Sequence, residues 1–169
     1  ERKYRTLIEK SLDGIVISQD GEVVMVNKAF ADMMGYTVEE CMASFGPESI
    51  AAEDRDRVLG IHYRRMRGEL SDMRYNASMI RKNGDRVIAE FNSTTIEING
   101  HPASLITTRD ITSRLQMQEA LEKSERKFRD LSNLLPQTVY ELDSQGFITY
   151  MNAAGRQAFG LDETETGFH

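Results

Sequence analysis

The sequence predicts an α+β fold: a five-stranded antiparallel sheet with helices on one face, followed by a long connector helix. Three observations carry this prediction. Two short strand-like runs enclose Asp20-Gly21, several helical segments follow, and residues 72–112 hold three more strand-like runs divided by Asn83-Gly84 and Asn99-Gly100. Asn-Gly and Asp-Gly between alternating runs signal hairpins, because a type I′ turn needs positive φ at both central residues. The last three strands are expected over about 73–81, 86–98 and 102–109. Tyr75, Ala77, Met79, Val87, Ala89, Phe91, Ser93, Ser104, Ile106 and Thr108 share their more apolar face. Arg74, Asn76, Ser78, Ile80, Ile88, Glu90, Asn92, Thr94, Leu105 and Thr107 share the other. The apolar face has to be covered.

The cover is expected upstream. Residues 1–12 place Tyr4, Leu7, Ile8 and Leu12 on one helical stripe, too short to be stable without a docking surface. After the first hairpin, Asn27 can cap a helix KAFADMM that stops at Gly35. Thr37 and Glu40 have capping-box spacing for the next helix. Gly46-Pro47 marks a loop, and Val58, Leu59, Ile61, His62 and Met66 make Ala52–Met66 a longer amphipathic helix. The acidic run Glu53, Asp54 and Asp56 reads as a helix start favoured by the macrodipole.

From Asp110 the pattern changes. Residues 113–135 contain no Gly or Pro, and Met117, Leu121, Ser124, Phe128, Leu131 and Leu135 follow a heptad seam that Pro136 stops. At about 1.5 Å per residue such a helix is roughly 36 Å long, which favours a connector pairing with a copy of itself over a helix folded back on its own domain.

An internal repeat organises the whole. ERKYRTL at 1–7 returns as ERKFRDL at 125–131, and Gly21, Asn27 and Gly35 return as Gly146, Asn152 and Gly160. The second copy, residues 136–169, lacks the three-stranded stretch, so 137–169 is expected to be poorly ordered or completed by another chain. Gly167-Phe168-His169 has no reading.

Composition narrows the function classes. A net charge of −6 over 169 residues argues against nucleic acid as a partner. Charges interrupt every apolar run well short of the ~20 residues a bilayer span needs, so no membrane contact is expected. No secretory signal opens the chain, and Glu1 in place of Met suggests a segment of a longer protein. The single Cys41 leans towards a reducing, cytoplasmic setting.

With these residues in view, the chain resembles a PAS (Per-Arnt-Sim) sensory domain over 1–115, with a truncated second copy over about 125–163. The resemblance rests on Arg81-Lys82-Asn83-Gly84-Asp85-Arg86-Val87 and on a last strand entering Arg109-Asp110-Ile111-Thr112. Val26-Asn27-Lys28-Ala29-Phe30 followed by Met34-Gly35-Tyr36, and Glu53-Asp54-Arg55, add to it. It implies an N-terminal helix (1–12), a PAS domain (13–112), a coiled-coil-like connector (113–135) and the start of a second PAS domain (136–169). It further implies a sensor histidine kinase-like parent or, as an alternative, a cyclic-dinucleotide signalling enzyme. This segment itself is expected to be non-catalytic, since it holds no Walker, Rossmann or H-E-x-x-H pattern and no nucleophile beside a base.

The resemblance implies a cavity between sheet and helices. Candidate ligand residues are Phe30, Met34, Ile61, Tyr75, Met79, Phe91, Ser93, Ser104, Ile106 and Thr108; Met33, Met42, Ile50 and Val58 are expected to cover the sheet, with Val16 and Ser18 beneath. Either a small ligand sits there on a few polar anchors or methionines repack into the gap. A flavin adduct is not expected, because Gly46 holds the place of the adduct cysteine and Cys41 reads as a small core residue. Haem is not expected either: the usual ligand position corresponds to Arg57, and His62 reads as a surface or rim residue. His62, His101 and His169 are isolated, so no metal site is expected.

Asp110, Ile111 and Thr112 form the expected signal junction, with Asp110 capping the connector's first turn. A homodimer is expected through the connector and the outer sheet face (Ile80, Ile88, Leu105, with Tyr4, Leu7 and Ile8). A ligand-free dimerisation module is the alternative function.

Overall fold

A computed structural model describes residues 2–70 and 72–161, apart from the side chains of residues 2–5 and Ser44. The side chain of Tyr4 and the segment Gly167-Phe168-His169 lie outside the described residues. The chain divides into two compact units, Glu1–Ser113 and Arg114–His169.

The first unit runs α1 (Arg2–Glu9), β1 (Gly14–Gln19), β2 (Glu22–Val26), α2 (Lys28–Met34), α3 (Val38–Ser44), a 3₁₀ turn (Pro47–Ser49), α4 (Ala52–Met66), β3 (Met73–Ile80), β4 (Arg86–Ile98) and β5 (His101–Asp110). The strands form one antiparallel sheet in the order β2-β1-β5-β4-β3, so the first hairpin joins the later meander through β1 and β5. Tyr75 pairs with Phe91, Phe91 with Thr108, and Gly14 with Thr108, which brings the apolar positions of four strands onto one face.

Two of the three turns are those expected. Asp20 (φ 53°) with Gly21 (φ 85°), and Asn99 (φ 53°) with Gly100 (φ 80°), have the paired positive φ of type I′. At Asn83-Gly84 only the glycine is left-handed, with φ 88°. There Gly84 N–H donates to Arg81 at 2.9 Å and Arg81 N–H to Asp85 at 2.8 Å, a three-residue connection instead of the two-residue one. The Asn83 side chain accepts the Asp85 N–H at 3.0 Å, an Asx turn that keeps Asn83 at an ordinary φ.

Asn27 caps α2, Gly35 (φ 77°) ends it, and Thr37 with Glu40 forms a reciprocal capping box on α3. Beneath these helices Phe30, Met34, Cys41, Met79, Val87 and Phe91 form the core. Met42, expected to cover the sheet, is 40% exposed. The first helix is shorter than the expected 1–12, ending at Glu9. Ser11 Oγ donates to the Asp13 carbonyl at 3.0 Å and accepts the Asp13 N–H at 3.2 Å, turning the chain and leaving Leu12 98% exposed. Leu7 is also exposed, whereas Ile8, Ile80, Ile88 and Leu105 are half-buried.

The long helix α5 spans Thr112–Asn133, three residues short of Pro136. The residue before a proline avoids helical backbone, so Leu134 and Leu135 leave the helix through tight turns onto Leu131 and Ser132. The second unit continues with β6 (Tyr140–Leu142), β7 (Ile148–Met151) and α6 (Ala153–Phe159). β6 and β7 form a two-stranded sheet on which Tyr140 and Leu142 stay more than half exposed.

Candidate functional site

A cavity of about 640 Å³ lies between the sheet and α4 in the first unit. The sheet side is Val16, Ser18, Tyr75, Met79, Phe91, Ile106 and Thr108; α4 contributes Val58, Leu59, His62, Tyr63, Arg65 and Met66. Phe30 of α2 and Phe45, Gly46, Pro47 and Ile50 close another side, with Asp20, Gly21, Val23 and Pro102 completing the wall. Tyr75 and Phe91 stack at 5.3 Å and 11°, and Phe30 meets Phe45 edge-on at 4.9 Å.

Polar side chains hold α4 in place over this space. Asp54 reaches beyond its expected role at the helix start, because its Oδ2 accepts the Ser78 N–H of β3 at 2.9 Å. The bond from Arg57, and then that from Ser78, holds the Asp54 carboxyl below its usual range. Arg57 also donates to the Asn76 carbonyl at 2.8 Å, and is therefore spent on the sheet edge and absent from the cavity wall. Arg55 donates to the carbonyls of Pro47 and Ile50 at 3.1 and 3.0 Å, fixing the segment between α3 and α4.

Of the sequence candidates, Phe30, Tyr75, Met79, Phe91, Ile106 and Thr108 stand on the wall, while Met34, Ile61, Ser93 and Ser104 do not. Met34 is completely buried in the core. Ile61 falls on the flank of α4, off the stripe formed by Val58, His62 and Arg65. Ser93 and Ser104 are buried on the expected face of the sheet, and Ser104 Oγ accepts a hydrogen bond from Arg65 Nη2.

Arg65 is the residue that sequence reasoning missed. It lines the cavity at 3% exposure, and burial pulls its pKa down while Tyr75 and Asp72 oppose this. The available signal was a basic residue at i+7 from Val58, inside an apolar stripe. His62, expected at the surface or rim, is half-buried on the wall; burial, and then Arg65, push its imidazole below the usual range. Cys41 lies in the core instead, its thiol pushed up by burial and then by Glu40.

Gly14, off the wall itself, lets two wall residues, Phe30 and Thr108, approach β1 closely. A Cβ there would stand 2.5 Å from Thr108 Oγ1 and 3.0 Å from Phe30 Cα. Thr108 uses its hydroxyl on the Gly14 carbonyl at 3.4 Å.

Downstream of the cavity, β5 passes into α5 through a clamp on β4. Ile111 N–H donates to the Ile88 carbonyl at 2.9 Å, and Thr112 Oγ1 accepts the Ile88 N–H at 2.9 Å. Asp110 Oδ1 accepts the Thr112 N–H at 2.8 Å, while Oδ2 pairs with Arg81 at 2.6 Å. Arg81 in turn donates to the Met33 carbonyl of α2 at 2.7 Å. Ile111 is 2% exposed.

The PAS domain family model matches residues 12–113, more than half of the chain, and another PAS domain model matches residues 126–168. The chain belongs to the PAS domain family. Its PAS fold resembles a domain of the sensory box sensor histidine kinase/response regulator from Geobacter sulfurreducens, at 25% identity and TM-score 0.54, covering 64% of this chain and 92% of that one. The sensory box histidine kinase/response regulator from Burkholderia thailandensis E264 matches at 20% identity and TM-score 0.57, covering 76% and 98% respectively. A third match, at 18% identity and TM-score 0.52, is the PAS domain of a LuxR-family transcriptional regulator from Burkholderia thailandensis in complex with ethanol, covering 64% and 97%. No curated protein matches the chain. Among the described residues, no helix of this PAS protein is long and apolar enough to cross a membrane, and no group of three or more His, Cys, Asp or Glu could hold a metal ion.

Proposed function

We propose that this PAS segment is a regulatory, non-catalytic input module of a cytoplasmic sensor histidine kinase-like protein, which relays the state of its first cavity through β5 into α5. The observation that carries this reading is the clamp of Ile111 and Thr112 on Ile88, directly after the cavity strand bearing Ile106 and Thr108. A displacement of β5 reaches the first turn of α5 with no flexible loop between them. A ligand biases such a relay only by its difference in affinity for the two helix settings. The test is Asp110→Ala in the full-length protein, which is expected to leave output unresponsive to input. Normal regulation in that variant would overturn the relay.

A second reading, pairing with another copy, is favoured by α5 itself. Met117, Leu121 and Leu131 are 72%, 60% and 54% exposed, a seam ready for a second helix. The two readings are compatible, since a paired connector can pass rotation or tilt to both chains.

A further inference from the structure

Arg65 is the one Lys or Arg on the cavity wall among the described residues. Its Nη2 donates to Ser104 Oγ, while no protein atom accepts from Nε or Nη1. A guanidinium presents five N–H donors in a planar fork. A single hydroxyl engages one N–H of that fork; Nε and Nη1 are covered by protein while Arg65 rests on Ser104, so an acceptor in the cavity reaches the fork by drawing the guanidinium off that hydroxyl. Buried charge is retained where something pairs it and satisfies its hydrogen bonds.

We propose that the cavity binds a small organic carboxylate, gripped by Arg65, with its apolar body against Phe30, Phe91 and Ile106. This rests on the sensory reading above and names its ligand class. A carboxylate fits the fork in two parallel bonds. One cation matches one negative charge, whereas a phosphate dianion would meet no second lysine or arginine on the wall, only neutral side chains, a His62 whose protonation burial opposes, and Asp20. A volume of about 640 Å³ accommodates a body of several carbons. The neutral hydroxyl of Ser104 is a weaker acceptor than a carboxylate, so the incoming ligand wins the guanidinium.

The test uses the whole 169-residue chain. Hexanoate and benzoate, their matched amides hexanamide and benzamide, and inorganic phosphate are compared by thermal shift and titration calorimetry. The acids are expected to raise Tm and to bind at least about tenfold more tightly than the amides. Arg65→Met is expected to abolish that preference without lowering Tm, because it replaces an unneutralised buried cation by an apolar side chain. Arg65→Lys keeps the charge but loses the fork, so it should retain part of the preference; it also serves should Arg65→Met fail to fold. The proposal is overturned if amides bind as well as acids, if both variants keep the full preference, if phosphate alone gives the same response, or if no acid binds. Acid binding that leaves hydrogen exchange in the first turn of α5 unchanged would retain this site and overturn the relay. Amide binding that alters that exchange would do the reverse.

Discussion

Asn152 makes in the second PAS domain the same four hydrogen bonds that Asn27 makes in the first. Asn27 Oδ1 accepts from Ile15 and Phe30 N–H at 2.8 and 3.0 Å, and its Nδ2 donates to the carbonyls of Ile8 and Asp13, both at 3.0 Å. Asn152 Oδ1 accepts from Val139 and Gly155 at 3.0 Å each, and its Nδ2 donates to Ser132 and Gln137 at 2.7 and 2.8 Å. Each asparagine is fully buried and ties the preceding helix to the start of its own domain. In the second domain that preceding helix is α5. It is therefore held at its first turn by Thr112 and at its last by Asn152, each within its own unit.

Asn27→Ala leaves two buried donors and two acceptors unpaired, and is expected to cost about 3 kcal/mol. Chemical denaturation of the purified chain checks this. Asn152→Ala should instead raise hydrogen exchange around Ser132 while the first domain keeps its stability.

Gly14→Ala forces a methyl group against Thr108 Oγ1 and Phe30. Overpacking at that contact should cost about 2–3 kcal/mol. Adding Thr108→Ala removes the closer clash, at 2.5 Å, and should recover part of the loss in a thermal melt. The repeat handles the same contact differently: Thr138 stands at the position of Gly14, and Gly155 replaces Phe30.

Asp110→Ala removes the acceptor for the Thr112 N–H and the partner of Arg81. Loss of the cap is expected to cost about 1 kcal/mol. Amide exchange confined to the first turn of α5 should accelerate. Uniform acceleration across the first domain would show that the residue is structural throughout and not a junction.

His62 predicts the sign of an acid effect. Its folded pKa lies below the ordinary value of about 6.5. Above that value both the folded and the unfolded chain carry neutral imidazole, and this group adds no slope. As pH falls through about 6.5, the unfolded chain takes up a proton that the folded chain resists, so stability falls. His62→Gln should show a shallower loss of Tm between neutral and mildly acid pH, and an unchanged slope would contradict the environment described for His62.

Paired Met117→Glu and Leu121→Glu should shift the chain towards monomer in sedimentation experiments, if α5 carries the pairing. Comparison of residues 1–112 with residues 1–135 separates this from pairing through the sheet. Self-association that survives both changes would move the contact to the half-buried outer face around Ile80 and Leu105.

What the sequence determined by itself is local. Alternation in residues 73–110 set the buried face of the sheet, from Tyr75 to Thr108, because side chains in a strand point alternately to opposite sides. The Asn27 cap, the Thr37–Glu40 box and the repeat at Asn152 were equally legible, since each depends on spacings of a few residues. Tertiary structure decided the rest. Ser93 and Ser104 share the sheet face of the site, and Met34 the helix layer above it, but all three are buried off the cavity wall, and only the placement of α4 reveals this. Arg65 looked like one basic residue among several at the end of an amphipathic helix. Its burial depends on Ser104 lying 39 residues further along, beneath α4. Hydrophobic period specifies which face turns inward; which inward side chain meets empty space depends on how two separately formed layers settle against each other.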